Sequence, residues 1–175
     1  MTDGTTPNEL FSIGQIRLKE LSVYNWGSFS NAIHTAEFHP KGTLITGDNG
    51  AGKSTFIDAL TALLLTAGKA SFNVAAAQGG SNDRSLLSYM RGSYGSIHDG
   101  SKTRTKSKRD VGVVTGLRAL YQGDDGSCIT LCGLFWISAA SSALKDVNRN
   151  YFVAKRNVSL KEVLDRFRNT DAREL

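Results

Sequence analysis

The first regular pattern of apolar and polar positions runs from Ile16 to Tyr24 and predicts a β-strand. Its apolar residues change from even to odd positions partway along, which indicates a β-bulge. Ala32 to Phe38 predicts a second strand, and the β-branched segment from Thr43 to Thr46 predicts a short buried strand before a glycine-rich loop. Residues 1–14 are polar and mixed, and we expect them to form a flexible N-terminal tail.

Three segments carry helical signals. Lys53 to Thr66 places apolar residues at helical spacing and has a wide apolar face. A second helix is expected after Ser81 or Asn82, either of which can cap it, and it should stop at Gly92. A third helix opens with a capping box that begins at Ser159.

Two apolar runs in the second half of the chain predict a β-hairpin. Val111 to Tyr121 and Cys128 to Ile137 are joined by a turn-forming segment at 122–126. Both runs are apolar on both faces, so we expect the hairpin to lie between two layers. Tyr151 to Lys155 predicts a further short strand, and the polar, then basic residues 92–110 are expected to form a loop.

The charge is concentrated in one place. The chain has 175 residues, with 21 lysines and arginines against 16 acidic residues, which gives a net charge of +5. The segment 101–109 contains no acidic residue, and its five lysines and arginines equal the net charge of the whole chain. They are Lys102, Arg104, Lys106, Lys108 and Arg109. These five are candidate nucleic-acid contacts, because cations in a row add salt-dependent affinity for phosphates. The alternative is a solvated loop.

Cysteine content and hydropathy indicate a cytoplasmic protein. Cys128 and Cys132 lie four residues apart on a predicted strand, about 13 Å from each other and beyond disulfide reach, so free thiols are expected. No apolar run approaches the ~18 residues of a membrane span. The first residues lack the basic start and apolar stretch of a signal peptide.

The clearest chemical signal is Gly-Asp-Asn-Gly-Ala-Gly-Lys-Ser at 47–54, which fits the Walker A pattern G-x-x-x-x-G-K-[ST]. It lies between a predicted buried strand and a predicted helix, as the motif requires. Backbone N–H groups of such a loop, and the positive end of the helix after it, bind phosphate oxygens. The candidate nucleotide-binding residues are Gly47, Asp48, Asn49, Gly50, Ala51, Gly52, Lys53, Ser54 and Thr55.

Individual side chains have expected roles toward ATP and Mg²⁺. Lys53 is expected to reach the β- and γ-phosphates and is the candidate catalytic residue. The Ser54 hydroxyl is the candidate Mg²⁺ ligand, and Thr55 is expected to bond an α-phosphate oxygen. Trp26 is a candidate for stacking on the nucleotide base, although a tryptophan after a strand is more often a packing residue.

The sequence elements for hydrolysis are missing from these residues. A Walker B strand ends in an Asp that holds Mg²⁺, but no apolar run after position 60 leads into an Asp. Nothing resembles the Leu-Ser-Gly-Gly signature of ABC-type ATPases either. We therefore expect this chain to be inactive alone and to hydrolyse ATP only together with the sequences that carry the missing motifs.

Several segments together resemble one family. They are Leu-Ser-Val-Tyr-Asn-Trp-Gly-Ser-Phe at 21–29, the Walker A loop, Phe-Asn-Val-Ala at 72–75, Arg-Ser-Leu-Leu-Ser-Tyr-Met-Arg-Gly at 84–92 and Tyr-Phe-Val-Ala at 151–154. The chain thereby resembles the N-terminal head lobe of a MukB-like SMC ATPase of the Wadjet type (JetC, MksB or EptC-like). The likeness spans roughly Leu18 to Phe167.

The resemblance implies an α/β fold: a P-loop NTPase lobe of the ABC/SMC type, with a mixed sheet, an antiparallel β-meander and flanking helices. The head lobe would occupy 15–168, and 169–175 would start the connection toward a coiled coil before which the chain is truncated. The implied activity is DNA translocation or loop extrusion in plasmid defence. The implied partners are a C-terminal head lobe, a second head on ATP binding, kleisin, KITE-type and nuclease subunits, and DNA, with no membrane.

Two other functions remain open. One is a RecF- or Rad50-like DNA-repair ABC ATPase head, against which the Asn-Trp-Gly segment at 25–27 and the hairpin after a long loop both argue. The other is a truncated, non-catalytic fragment that binds nucleotide weakly.

Overall fold

The computed structural model describes residues 15–65, 72, 85–99, 102–139, 141 and 143–169. The expected tail at 1–14, the helix caps expected at Ser81 and Asn82, and residues 170–175 of the expected connection lie outside this part. The described elements are β1 (Ile16–Trp26), β2 (Phe29–Glu37), α1 (Lys53–Leu64), α2 (Leu86–Arg91), β3 (Ser93–Asp99), β4 (Lys102–Ser107), β5 (Val113–Gly123), β6 (Cys128–Ile137), a short 3₁₀-helix (Leu144–Asp146), β7 (Asn148–Ala154) and α3 (Leu160–Asn169).

Five strands form one antiparallel sheet in the order β2-β1-β5-β6-β7, and β3 pairs with β4 in a separate two-stranded sheet. The central strand β5 pairs with β1 on one side and with β6 on the other, which confirms the predicted hairpin. The register of β1 against β5 shifts between Leu18 and Glu20, as the predicted bulge requires.

Helices cover both faces of this sheet, so the hairpin lies between two layers as predicted. The core on one face joins the sheet to α1 and α2 through fully buried residues, among them Leu21, Val23, Leu117, Phe135, Ala59 and Met90. The core on the other face joins β6 to α3 through Cys132, Leu134, Leu160, Val163 and Leu164. Each fully buried leucine contributes about 1.5–3 kcal/mol to folding.

The predicted strand at Thr43–Thr46 is wrong. Residues 42–48 form no strand, Leu44 is 86% exposed and Ile45 is 36% exposed. An apolar, β-branched segment becomes a strand only where a neighbour pairs with its backbone groups, and no strand of the described part does so. The sequence pattern is typical of a strand, but it does not indicate whether a neighbouring strand is present to pair with it.

Residues 92–110 also differ from the prediction, because most of them form the β3–β4 ribbon rather than a loop. Threonines and cations alternate at 102–106, which has the period of a strand but is polar at every position. A search for alternating apolar residues misses such a strand. Helix α2 starts after Ser85, whose side chain accepts a bond from Ser88 N, so the cap expected at Ser81 or Asn82 is wrong. The helix ends at Gly92 as predicted.

Both cysteines are free thiols, as predicted. Cys132 is buried, and burial raises the pKa of its thiol to about 12. None of the helices in the described part is long and apolar enough to cross a membrane.

Candidate functional site

The Walker A loop adopts a conformation that favours glycine at three positions. Gly47, Gly50 and Gly52 have φ angles of +149°, +84° and +95°, which residues with a Cβ rarely adopt. A turn within the loop is closed by Ala51 N, which donates to Asp48 O at 3.1 Å. The loop leads directly into α1.

Lys53 reaches back over this loop. Its Nζ donates to Gly47 O at 2.6 Å and to Asp48 O at 2.9 Å. Both contacts are exposed, so the ammonium can exchange these carbonyls for phosphate oxygens without disturbing the core. The lysine is therefore positioned by the loop to which it belongs.

The N-terminus of α1 is open to an anion. Its N-cap residue, Gly52, provides no capping side chain, and no acidic residue lies in the first turn. The first N–H groups of a helix lack partners within the helix, and the helix dipole favours negative charge there. Ser54 and Thr55 are half-buried in this turn. These donors fit the phosphates of ATP.

The same residues fit a magnesium ion that arrives with the nucleotide. The described part holds no cluster of three or more His, Cys, Asp or Glu side chains. A Mg²⁺ ion at this loop would take the Ser54 hydroxyl as a protein ligand, with phosphate oxygens beside it. When bound, it would neutralise the charge of the phosphates.

Trp26 does not stack on a nucleotide base, so that alternative from the sequence is corrected. Its side chain is fully buried, with its ring stacked on Tyr89 at 4.5 Å between centroids. Its Nε1 donates to Thr55 O at 2.8 Å. The tryptophan is a packing residue, and its hydrogen bond to Thr55 O holds the first turn of α1 against the core.

The turn between β1 and β2 packs on the same part of the loop. A Cβ at Gly27 would lie 2.5 Å from Thr55 Cγ2, and a Cβ at Gly52 would lie 2.9 Å from Phe29 Cζ. The Phe29 ring also meets the Phe56 ring edge-on at 5.1 Å. Glycine at both positions lets the turn and the Walker loop approach each other.

A buried carboxylate in α1 escaped the sequence analysis. Asp58 is 4% exposed, and the Tyr89 hydroxyl donates to its Oδ2. It is the single acidic residue of α1 and lies between the apolar residues Ile57 and Ala59, and this was the signal available in the sequence. The contact joins α1 to α2.

The five candidate nucleic-acid residues have different environments. Backbone positions 102, 104 and 106 alternate along β4 and therefore share one face of that strand. Lys106 and Lys108 are exposed, and Lys108 Nζ donates to Ser28 O at 3.1 Å. Arg109 is 8% exposed, with its guanidinium fully engaged inside the protein, and burial lowers its pKa. We therefore remove Arg109 from the candidate nucleic-acid contacts.

Residues 18–79 match the family model described as the P-loop containing region of an AAA domain, AAA_29. This match includes the whole Walker A loop. Among solved structures, one described as "Structural biochemistry of ATP-driven dimerization and DNA stimulated activation of SMC ATPases" is 19% identical, with a TM-score of 0.45. The alignment covers 85% of this chain and 75% of that one. No curated protein matches the chain significantly.

The predicted fold class is confirmed: an α/β P-loop NTPase lobe whose antiparallel meander is flanked by helices. The sheet expected to be mixed has only antiparallel pairs within the described residues.

Proposed function

We propose that this chain binds Mg-ATP as the N-terminal lobe of an SMC-like ATPase head. The observation that carries the proposal is the Walker loop itself, with Lys53 folded over its carbonyls and an uncapped helix N-terminus behind it. Lys53 would bind the β- and γ-phosphates, Ser54 the Mg²⁺ ion and Thr55 the α-phosphate. The remaining contacts would come from backbone N–H groups between Gly47 and Gly52.

The test is a titration of the chain with Mg-ATP, comparing wild type with Lys53→Ala. We expect weak binding by the wild type, loss of binding in the variant, and no turnover by either. Lys145→Ala is the control, because Lys145 is an exposed lysine of the 3₁₀-helix. Equal binding by Lys53→Ala and wild type would refute the proposal, and robust turnover would show that a catalytic carboxylate is present.

A complementary C-terminal lobe is the second part of the proposal. Helix α1 buries Ala59 and Leu63 against the sheet but leaves Ile57 and Leu64 exposed on its opposite side. Leu44, in the unpaired segment before the Walker loop, is the most exposed large apolar residue of the described part. A helix that is apolar on both sides is normally buried. This supports a lobe, carrying signature and Walker B sequences, that covers α1 and pairs with 43–46.

Co-expression of the chain with such a lobe from an SMC-like head tests this part. Leu44→Asp combined with Ile57→Asp should abolish co-purification and any ATP turnover of the pair. Val111→Asp is the control, since Val111 is 69% exposed and lies apart from α1, in the connection that precedes β5. Retention of the lobe by the double variant would contradict the proposed contact surface.

The proposed DNA contact now rests on Lys102, Arg104, Lys106 and Lys108. Three of these positions alternate on one strand face, about 6.8 Å apart, which equals the axial rise of two base pairs in duplex DNA. Movement of DNA in plasmid defence, with kleisin, KITE-type and nuclease subunits, is supported only by the sequence resemblance to Wadjet systems.

The RecF- or Rad50-like head and the non-catalytic fragment remain the alternatives. A head of either SMC-like or repair type should turn over ATP once its second lobe is supplied. A non-catalytic fragment should bind nucleotide without acquiring turnover in any pairing. The co-expression assay therefore separates a catalytic head of either type from a non-catalytic fragment.

A further inference from the structure

Arg109 is a buried cation with all five guanidinium N–H donors engaged. Four acceptors are backbone carbonyls and one is a serine hydroxyl. They are Met90 O at 2.7 Å, Tyr89 O at 3.0 Å, Gly27 O at 2.9 Å, Phe29 O at 3.3 Å and Ser30 Oγ at 2.5 Å. One side chain thus joins the end of α2 to the β1–β2 turn and the start of β2.

No ion pair compensates this charge in the part of the chain that the structure describes. Burying a charge is unfavourable unless it is well hydrogen-bonded. Only arginine offers five donors in a rigid fork, whereas lysine offers three. Arg109 is therefore matched to this set of acceptors in a way that lysine is not.

The segment that Arg109 holds is the one that packs on the Walker loop. Within the turn, Gly27 lies against the Thr55 side chain, and Gly27 N donates to Tyr89 O at 2.8 Å. Phe29 lies against Gly52 and Phe56. The Arg109 guanidinium therefore contacts the β1–β2 turn, and this turn contacts the start of α1.

Resting on the nucleotide-binding function proposed above, we propose that Arg109 is a positioning residue for the Walker A loop. By fixing the β1–β2 turn, it holds the surface on which Gly52 and Thr55 rest. It touches no nucleotide itself. Loosening the turn frees the loop to leave its phosphate-binding conformation.

The test titrates the full chain with Mg-ATP in the variant Arg109→Lys, which keeps the charge but loses the fork. Arg118→Lys is the matched control, because Arg118 is 3% exposed and bonds to Val158 O and Glu20 on the sheet face covered by α3. Both variants are expected to lower the thermal midpoint. At a temperature where both are folded, Arg109→Lys should weaken Mg-ATP binding about tenfold, and Arg118→Lys less than twofold.

A spectroscopic readout separates positioning from stability. In a Trp136→Phe background, Trp26 is the only tryptophan, and its Nε1 is bonded to Thr55 O. The change in its emission at saturating Mg-ATP should differ between Arg109→Lys and the background protein, and be unchanged in Arg118→Lys. Equal affinity and equal emission changes in the two lysine variants would overturn the inference.

Three outcomes need separate treatment. If Arg109→Lys does not fold, Ser30→Ala removes a single acceptor, and wild-type affinity in that folded variant overturns the inference. If wild type binds Mg-ATP and Lys53→Ala does not, failure at Arg109 leaves the proposed function intact. If wild type does not bind, the proposed function fails, and the inference fails with it.

Discussion

The two glycines at 50 and 52 in the Walker loop provide a matched pair for testing how the loop is packed. Both have positive φ angles, +84° and +95°. A Cβ at Gly50 would meet nothing within 4 Å, whereas a Cβ at Gly52 would lie 2.9 Å from Phe29 Cζ and 3.2 Å from Phe29 Cε2. Alanine at either position introduces backbone strain, but only alanine at 52 also collides with a ring.

The expected magnitudes follow from this geometry. A left-handed conformation costs an alanine about 1–2 kcal/mol, and the reduced freedom of the unfolded chain offsets about 0.4–1 kcal/mol of it. Gly50→Ala should therefore lower the free energy of unfolding by roughly 1 kcal/mol. Gly52→Ala should lower it by a further 1–3 kcal/mol or so, because Phe29 must move from its contact with Phe56.

Urea unfolding followed by far-UV circular dichroism measures these differences, provided that m is the same in all variants. Phe29→Leu removes the ring atoms nearest to Gly52, so the double variant tests the collision directly. In a double-mutant cycle, the loss caused by Gly52→Ala in the Phe29→Leu background should fall to that of Gly50→Ala. Equal losses for the two glycine variants, or no coupling with Phe29, would refute the proposed packing.

Two further predictions concern the charges and the thiols. Changing Lys102, Arg104 and Lys106 to glutamine should reduce the slope of log K against log salt for duplex DNA by about 2.7, at 0.9 for each phosphate contact. Burial raises the pKa of the Cys132 thiol to about 12, so about one Cys132 thiol in ten thousand is ionised at pH 8 and this residue should resist iodoacetamide. The half-buried Cys128 should be alkylated first. Equal alkylation rates in the two single-cysteine variants would contradict this prediction.

The control for the DNA experiment removes the same charge elsewhere. Lys19, Lys41 and Lys145 are exposed and lie outside β4. Changing these three to glutamine should leave the salt slope almost unchanged. An equal decrease would mean that DNA responds to net charge rather than to the strand, and the contact proposed for β4 would be withdrawn.

The sequence predicted those parts of the fold whose signals are local. The β5–β6 hairpin has a turn sequence between two apolar runs, and the Walker loop has its glycines and Lys53 at fixed spacing. The bulge in β1 was visible as a change of apolar parity. In each case the determining residues are neighbours in the chain, so their order alone carries the information.

The predictions that were wrong depended on contacts distant in sequence. Segment 43–46 has the composition of a strand, but pairing depends on a partner that composition does not reveal. Arg109 belongs to a basic run, yet its acceptors lie about 20 and 80 residues earlier in the chain. The sequence left base stacking by Trp26 open, because the burial of its ring depends on a tertiary contact with Tyr89 that the sequence does not show.

The pairing of β1 with β5 also has a kinetic consequence. Leu21 lies opposite Ala119, so the segment between these two strands, including the Walker loop, is a long closed loop of the native chain. Closing such a loop costs entropy before the sheet contacts compensate for it, which slows folding. Phe29, near β1, packs on the Walker loop, and Arg109, just before β5, holds the turn that contains Phe29. With the role proposed for Arg109, the phosphate-binding loop becomes ordered only after β1 and β5, the paired strands furthest apart in the sequence, have met.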